Sequence, residues 1–341
     1  MPNLDDAFKI ALKQSEERRL GRPQVTFRDL RIRLKEPNEK GEIIVPLSVN
    51  TVQEEYCDLL DPEWRERGYP LLQGVRDIVL KSRQLGFTTL LQAAAFCHMC
   101  NFDHWRGLTI AHDLSTAREI FQMQETFLEH LPPGKKPIVV EDNNRRIRFS
   151  NGSRMYIGSA ENKDFGAGGT NSFIDFSEAG RYQGDVANLM ASAADTVPAK
   201  GSIILESTAR GMGNYFHSEW ERSQDGGSVF RGVFIPWYKH EDYRMDPDDE
   251  DWKRKFPGDW QATPDELRAA RANNLDRHQL AWRRWKQAEQ PEMFKQNYPE
   301  TPDEAFLSTG APYFPIELLR DYREEAKKQE YGYFDYTRQA A

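Results

Sequence analysis

The sequence has few cysteines and no long apolar run. Its three cysteines, Cys57, Cys97 and Cys100, cannot form a disulfide framework in a chain of 341 residues, which is typical of a reducing cytoplasm. No apolar stretch approaches the roughly 20 residues that span a bilayer. The first 21 residues carry four acidic side chains and no apolar core, so we expect no secretory signal. These absences favour an intracellular protein that does not contact a membrane.

The sequence also lacks an excess of positive charge. Its net charge is -8, so any contact with nucleic acid must be confined to a local surface. Charged residues make up 29% of the chain, which indicates a soluble protein with much solvated surface. The length exceeds the roughly 100–200 residues of one typical domain, and it is sufficient to bury a sizeable core.

The most informative stretch runs from Ile78 to Leu91, where an apolar strand leads into a tight polar turn and then a helix. Backbone N–H groups in such a turn, and the helix N-terminus behind it, bind phosphate. Against the pattern G-x-x-x-x-G-K-S/T, Gly86 falls on the second glycine and Thr88 on the hydroxyl that reaches Mg²⁺. Phe87 stands where the lysine belongs, and Lys81 stands where the first glycine belongs. The positive charge is therefore six residues early, and these residues alone leave an ordinary strand, turn and helix equally open.

A second strand, Ser172 to Phe176, follows a glycine-rich loop and ends in Ser177 and Glu178. A carboxylate at the end of a strand beside a phosphate loop can polarise the attacking water in nucleotide hydrolysis. The usual pair there is Asp-Glu, and Ser177 replaces its first member. Asp175 lies on the same face as Ser177, because side chains alternate along a strand, and could supply the missing negative charge. A purely structural role for Glu178 stays open.

Two other segments carry polar side chains that fit a nucleotide site. Asn50 and Gln53 could read an adenine edge, because an amide offers a donor and an acceptor together. Helix capping by Asn50 is the simpler interpretation of these residues alone. The strand Ser202 to Glu206 ends in Ser207 and Thr208, which suit a loop that senses the γ-phosphate, although ordinary turn chemistry explains them equally well.

The remaining elements predict the framework. Gly107 to His112 reads as a strand and Ser115 to Leu131 as a helix, which continues the rhythm of a parallel α/β sheet. Leu4 to Arg19 has the pattern of a peripheral amphipathic helix. Phe27 to Leu34 and Ile43 to Val49 have the alternation of a hairpin.

Two patterns have a competing structural interpretation. Cys97, His98 and Cys100, followed by His104, look like zinc ligands, but no second cysteine pair closes a tetrahedron, so core packing is predicted. The segment from Arg145 to Ile157 is a hairpin by its Asn-Gly turn. Its arginines could meet phosphates or could form a solvated face paired with acidic neighbours.

The order of these pieces resembles the ATPase domain of the large terminase subunit of tailed bacteriophages, the motor that packages DNA into procapsids. The matching segments are an adenine-contacting stretch (Pro46 to Gln53), a deviant Walker A with an early lysine and an Arg-Gln pair (Lys81 to Thr89), a Walker B variant containing Ser-Glu (Phe173 to Gly180), a coupling motif (Glu206 to Ala209) and three lid segments (Thr263 to Glu266, Leu280 to Arg284 and Tyr298 to Phe306). Each motif is weak alone, and their shared order is the specific signal.

The resemblance implies an α/β fold, a P-loop NTPase of the additional-strand (ASCE) type. Its mainly parallel sheet would be flanked by helices and joined to a small, mainly helical lid. The implied divisions are an N-terminal helix and hairpin extension (1–45), the P-loop ATPase core (46–237), the lid (238–310) and a C-terminal linker (311–341).

The resemblance also implies roles for individual residues. Glu178 and Arg83 would act in catalysis, Ser207 and Thr208 would couple hydrolysis to DNA movement, and the cofactors would be ATP and Mg²⁺. The implied ATP ligands are Asn50, Gln53, Lys81, Ser82, Gln84, Leu85, Gly86, Phe87, Thr88 and Thr89, and the implied Mg²⁺ ligands are Thr88, Ser177 and Asp175.

One departure from the family concerns an arginine that acts on a neighbouring subunit's ATP. Many relatives carry an Arg-Gly in the glycine-rich loop where this sequence has Ala167-Gly168. Arg181, Arg154 or Arg210 would then serve in its place, or Arg83 would act within its own subunit.

The implied function is ATP hydrolysis coupled to translocation of double-stranded DNA into the procapsid. The implied partners are the portal protein, the small terminase subunit and further copies in a ring, in the host cytoplasm and transiently at the portal. Large terminases usually continue into a nuclease domain, and we expect no nuclease activity from these 341 residues, so that domain would lie on the rest of the chain or on another chain. Two alternatives stay open: a helicase-like ATPase outside phage assembly, and a non-hydrolysing DNA-binding or scaffold module, which Phe87 and Ser177 would favour.

Overall fold

The structure is a computed structural model that describes residues 23–161 and 169–307, together with residues 322 and 325. The predicted helix from Leu4 to Arg19, the Ala167-Gly168 pair and most of the predicted linker 311–341 lie outside the described residues. Within the described part of the chain, no helix is both long and apolar enough to cross a bilayer.

Eight strands form one sheet and two more form a small separate ribbon. The strands are β1 (Arg31–Arg33), β2 (Ile44–Pro46), β3 (Arg76–Lys81), β4 (Arg106–Ala111), β5 (Val139–Asn143), β6 (Arg146–Phe149), β7 (Arg154–Ser159), β8 (Phe173–Ser177), β9 (Ser202–Ser207) and β10 (Arg231–Ile235). The sheet order is β10-β3-β9-β8-β4-β7-β6-β5, and β1 pairs antiparallel with β2. The six strands from β10 to β7 are parallel, and β6 and β5 extend the sheet antiparallel.

Helices cover both faces of the sheet; two precede its first strand, four lie between its strands in sequence, and the others follow its last strand. They are α1 (Thr51–Leu60), α2 (Trp64–Arg67), α3 (Phe87–Asn101), α4 (Leu114–His130), α5 (Val186–Ala194), α6 (Tyr215–Gln224), α7 (Glu250–Lys255), α8 (Pro264–Asn273), α9 (Arg277–Glu289), α10 (Phe294–Asn297) and α11 (Pro302–Leu307). Polar caps begin several of them: Asp113 caps α4, Asn214 caps α6 and Asp276 caps α9 by accepting from first-turn amides.

The core consists of two layers, one on each face of the sheet. Consecutive residues of β3 divide between them: Val79 packs with α3, whereas Ile78 and Leu80 pack in the cluster that contains residues of α5 and α6. Strands buried on both faces read as continuous apolar runs, which explains why β3 lacks polar alternation.

The strand order confirms the predicted P-loop fold of the additional-strand type. β9 lies between β3, which leads into the predicted phosphate loop, and β8, which ends at Ser177. In a parallel sheet the carboxyl ends of the strands meet at one edge, where ligands bind. The last residues of β3, β8 and β9 therefore lie at the same edge; they are Lys81, Ser177 and Ser207.

The first predicted hairpin is only partly correct. β1 and β2 pair as expected, but Phe27–Asp29 forms a 3-10 turn instead of strand. The carboxylate of Asp29 accepts hydrogen bonds from the backbone N–H and the hydroxyl of Thr26, which stabilises the turn.

The described chain after β10 is mainly helical, as predicted for the lid, and an ion network around the buried Arg283 holds it together. Arg283 is buried and donates from Nε to Glu300 Oε1 at 2.5 Å and from Nη1 to Asp265 Oδ2 at 2.9 Å. Arg284 donates from Nε to Glu266 Oε1 at 2.7 Å. The three lid segments recognised in the sequence thus contact one another, and the boundaries of the lid stay a prediction.

Candidate nucleotide site

The turn between β3 and α3 has the backbone of an anion cradle. Gly86 begins α3 with φ +67°, and a Cβ there would lie 2.6 Å from Gln53 Nε2, so the position needs glycine. Gln84 also has positive φ, at +60°. Among the described residues, no side chain caps α3, so its first-turn N–H groups face the turn without an acceptor from its own helix.

Asn50 and Gln53 bond to the backbone of this turn. They form a reciprocal capping box at the start of α1, with Asn50 Oδ1 accepting from the Gln53 N–H at 2.9 Å and Gln53 Oε1 accepting from the Asn50 N–H at 3.0 Å. Asn50 Nδ2 also donates to Leu85 O at 3.1 Å, and Gln53 Nε2 donates to Gly86 O at 2.7 Å. The structure therefore shows the capping alternative, and adenine contact by these amides stays a prediction.

Lys81 places its ammonium at the carboxyl edge of the sheet. Its side chain is buried, and Nζ lies 3.1 Å from Glu206 Oε2 and 3.6 Å from Glu178 Oε1. Burial lowers the pKa of Lys81, but the two carboxylates outweigh it and hold the pKa above its ordinary value. The lysine is charged and lies between two acids.

Glu178 follows β8 directly and has a strained backbone, with φ +54° in the left-handed region. Non-glycine residues with such angles persist where the surroundings impose them, and they cluster at functional sites. Burial raises the pKa of the carboxyl, but the charges of Lys81, Arg181, Arg210 and Arg83 outweigh it, so the pKa lies below its ordinary value. Glu178 is thus ionised at neutral pH.

The four candidate arginines lie in three different places. Arg181 Nε lies 3.7 Å from Glu178 Oε2, and Arg210 is close enough to lower the pKa of Glu178. Arg154 begins β7 and therefore lies at the opposite edge of the sheet, far from this site. The Arg83 side chain is exposed on the turn, where its backbone N–H donates to Asn297 O at 2.9 Å and its carbonyl accepts from the Tyr243 hydroxyl at 2.6 Å.

The predicted magnesium ligands Thr88 and Ser177 meet on a residue that the sequence analysis did not assign. Thr88 Oγ1 donates to Glu206 Oε1 at 3.0 Å, and Ser177 Oγ donates to the same oxygen at 2.6 Å. Glu206 is 0% exposed and lies opposite Ser177 in the register of β8 and β9. In the sequence, the feature that could have indicated Glu206 is its charge directly after the apolar run Ile203 to Leu205.

Asp175 does not join this cluster. It is fully buried two residues deeper on β8, where its Oδ2 accepts from Gln92 Nε2 at 3.0 Å. Burial, followed by the nearby charge of Glu206, raises the pKa of Asp175 well above its ordinary value. The same-face inference is correct, but the side chain that accepts from Ser177 is that of Glu206.

The side chains of the other predicted loop residues do not join this cluster. Ser82 is buried and its N–H donates to Ile235 O at 2.9 Å, whereas the side chain of Gln84 is exposed. Leu85 and Phe87 point into the core. Thr89 is half-buried and faces a separate cleft.

Phe87 gives the first testable expectation, because its side chain is 1% exposed and its ring lies 4.7 Å from that of Tyr56. Phe87→Lys would restore the common loop pattern but would put an ammonium into the core. We expect it to lower the free energy of unfolding by at least about 3 kcal/mol without strengthening ATP binding. Phe87→Leu, the matched control, should cost about 1 kcal/mol. Denaturant unfolding measures both, and a stable Phe87→Lys protein that binds ATP more tightly would contradict the placement.

The predicted coupling residues contact the segment that carries Glu178. Ser207 Oγ accepts from the Gly180 N–H at 3.1 Å and donates to Thr208 O at 2.7 Å. A Cβ at Gly180 would lie 2.8 Å from Ser207 Oγ, so the two loops touch closely. Thr208 Oγ1 is buried and has no hydrogen-bond partner among the described residues. The segment that follows Glu178 therefore contacts the end of β9, and a coupling role for Ser207 and Thr208 stays a prediction.

The structure shows the surroundings of the two patterns that had a competing interpretation. Cys97 and His98 are buried in α3, His98 Nε2 accepts from the Leu72 N–H at 3.0 Å, and the described residues contain no group of three or more His, Cys, Asp or Glu side chains that could hold a metal. The hairpin arginines Arg146 and Arg148 pair with Glu141, at 2.5 Å and 3.6 Å. Core packing accounts for the first pattern, and a phosphate contact by the hairpin arginines stays a prediction.

Comparison with known proteins adds solved structures only, since neither a family model nor a curated protein matches this sequence. The large terminase of bacteriophage HK97 is 16% identical, with a TM-score of 0.49 over 76% of this chain and 51% of that chain. The large terminase ATPase domain of Thermus phage P74-26 is 16% identical, with a TM-score of 0.42 over 65% of this chain and 86% of that chain. The large terminase of the thermophilic bacteriophage D6E in complex with ATP-γ-S is 11% identical, with a TM-score of 0.42 over 63% of this chain and 50% of that chain.

This chain spans about half the length of the HK97 and D6E chains. All three structures are of the family that the order of motifs resembles. Since the identities are 16% or lower and the TM-scores are below 0.5, function must be inferred from the chain's own site.

Proposed function

We propose that this chain is a P-loop ATPase that hydrolyses ATP at the carboxyl edge of its sheet. The observation that carries the proposal is the meeting of Lys81 and Glu178, 3.6 Å apart, in front of an uncapped helix N-terminus. A fixed ammonium and free amides bind phosphates, and an adjacent ionised carboxylate orients water. No core-packing role requires these groups to converge at the open end of a parallel sheet.

The residues at this edge also fit Mg²⁺. Two hydroxyls, of Thr88 and Ser177, and the Glu206 carboxylate are hard oxygen donors, which Mg²⁺ prefers, and it commonly completes its shell with water and substrate phosphates. When bound, Mg²⁺ would neutralise charge on the β- and γ-phosphates. The remaining catalytic work falls to side chains of this chain.

In the proposed reaction Glu178 orients the attacking water and accepts its proton. The water oxygen bonds to the γ-phosphorus while the bond to the β–γ bridging oxygen breaks, giving ADP and inorganic phosphate. Lys81 and the amides of the turn hold the β- and γ-phosphates. Arg181 and Arg210 lie beside Glu178, where a positive charge would stabilise the transferred phosphoryl group.

Within this class we propose the motor of a large terminase subunit, which moves double-stranded DNA into a procapsid. The order of motifs supports this, and so does the contact of the three lid segments through Arg283 and Arg284. The proposed core is 46–237 and the proposed lid is 238–310, which holds the phosphate loop at Arg83 through Tyr243 and Asn297. The proposed partners are the portal protein, the small terminase subunit and further copies of this chain, in the host cytoplasm.

Turnover of ATP tests this proposal. We expect Mg²⁺-dependent phosphate release by the purified chain, and faster release when double-stranded DNA is added. Greater stimulation by single-stranded DNA of equal length would contradict the packaging role in favour of a helicase-like enzyme. Nucleotide binding without turnover, with or without DNA, would contradict hydrolysis in favour of a scaffold module.

A further inference from the structure

The usual acid of the magnesium site is missing from β8, because Ser177 stands where an aspartate is common. The neighbouring strand supplies a carboxylate at the same level. Ser177 and Glu206 are register partners, and side chains of register partners on adjacent strands point to the same face. A carboxylate is therefore present beside Ser177, on the adjacent strand.

The contacts of Glu206 match those of a carboxylate at a cation site. Its Oε1 accepts from both Thr88 and Ser177, the two hydroxyls predicted to reach the metal. Its Oε2 lies 3.1 Å from Lys81 Nζ, so a cation already faces the second oxygen. Glu206 is 0% exposed, and a buried carboxylate is costly without a positive partner.

We propose that Glu206 is the carboxylate of the Mg²⁺ site and that Lys81 neutralises it in the nucleotide-free chain. This inference rests on the proposed ATPase function. On nucleotide binding the ammonium of Lys81 moves to the phosphates, and the oxygen that it leaves becomes available to the metal. Glu206 thus has Lys81 as its cationic partner in the nucleotide-free chain and the metal as its cationic partner when nucleotide is bound.

Asp175 is the competing acid, and geometry separates the two. Asp175 lies two residues deeper than Ser177, which is roughly 6.6 Å along a strand. Its Oδ2 is occupied by the amide of Gln92, a core contact. Glu206 contacts the first turn of α3 directly, through Thr88.

The test compares nucleotide affinity with and without metal. The dissociation constant of a fluorescent, non-hydrolysable ATP analogue is measured in EDTA and in Mg²⁺. The value in EDTA divided by the value in Mg²⁺ reports how strongly the metal supports binding. We expect Glu206→Gln to lower that ratio about 10- to 100-fold while affinity in EDTA is maintained. The glutamine keeps the shape, and Lys81 keeps Glu178 as a partner, so we expect the variant to fold.

Three further variants sharpen the test. Glu219→Gln is the matched control, a buried glutamate on α6 that pairs with Arg222, and should leave the ratio unchanged. Asp175→Asn should also leave it unchanged. Adding Ser177→Asp to Glu206→Gln returns a carboxylate to the adjoining strand and should restore the ratio, which a merely structural role would not do.

The outcomes distinguish this inference from the proposed function. An unchanged ratio in Glu206→Gln, or equal weakening in EDTA and Mg²⁺, would overturn the assignment of Glu206. A loss confined to Asp175→Asn would assign the metal to that acid instead. If the wild-type chain binds no analogue under either condition, the proposed function itself fails.

Discussion

Glu178→Gln is expected to slow ATP hydrolysis about 10²- to 10⁴-fold, the usual contribution of a positioned general base, while ATP still binds. The glutamine keeps the size of the side chain but cannot accept the proton of the attacking water. Single-turnover phosphate release measures the chemical step, and equilibrium binding measures ATP affinity. Removing one negative charge beside Lys81, Arg181 and Arg210 should leave ATP affinity unchanged or raise it.

Glu219→Gln serves as the matched control for this prediction as well. It makes the same chemical change at a buried glutamate outside the site, so turnover should persist. Undiminished hydrolysis in Glu178→Gln would show that another group activates the water. Equal loss in both variants would indicate damage to the fold.

Lys81→Met should weaken ATP binding about 10- to 100-fold, because a charged hydrogen bond to phosphate contributes about 1.5–3 kcal/mol. It should also destabilise the fold by about 3–5 kcal/mol, since Glu206 would be buried without its nearest cation. Two effects on one variant must be separated before the loss of binding can be assigned to the phosphate contact.

The double variant Lys81→Met with Glu206→Gln makes that separation. Removing both charges should restore most of the free energy of unfolding, since buried pairs are often replaced by neutral groups at little cost. ATP affinity measured in EDTA, which Glu206→Gln alone should maintain, should stay low, because the phosphate ligand is still absent. If the double variant binds ATP as tightly as the wild type, Lys81 is not that ligand.

Much of the fold was predictable because it depends on local pattern. The apolar run before Lys81, the Asn-Gly hairpin and the rhythm of strands and helices each specify one element. The positions of Gly86 and Thr88 at the start of α3 agree with the loop pattern despite the missing lysine. Phe87 is the residue before Thr88, and its side chain faces the core.

The site itself was less predictable because its members meet across strands. Asp175 was inferred from the two-residue period of a single strand, which gives the face but not the depth. Glu206 reaches Ser177 only because β9 is inserted between β3 and β8, and no spacing within one strand shows this. Arg154 looked equivalent to Arg181 and Arg210 in sequence, yet its strand begins at the opposite edge.

Asn50 and Gln53 illustrate a different limit. Sequence alone offered capping or adenine contact, and the structure shows that both amides donate to the turn between β3 and α3 while they cap α1. The second contact was not predictable, because it needs the loop of residues 82–86 to pack against a helix more than 20 residues earlier.

A structure with a non-hydrolysable ATP analogue and Mg²⁺ tests the central claim most directly. We predict that Lys81 Nζ contacts the β- or γ-phosphate, that the first-turn amides of α3 surround the phosphates, and that Glu178 faces the γ-phosphorus through a water. A structure in which Lys81 stays on Glu206 while another side chain binds the phosphates would contradict the account of a phosphate loop with its lysine at Lys81.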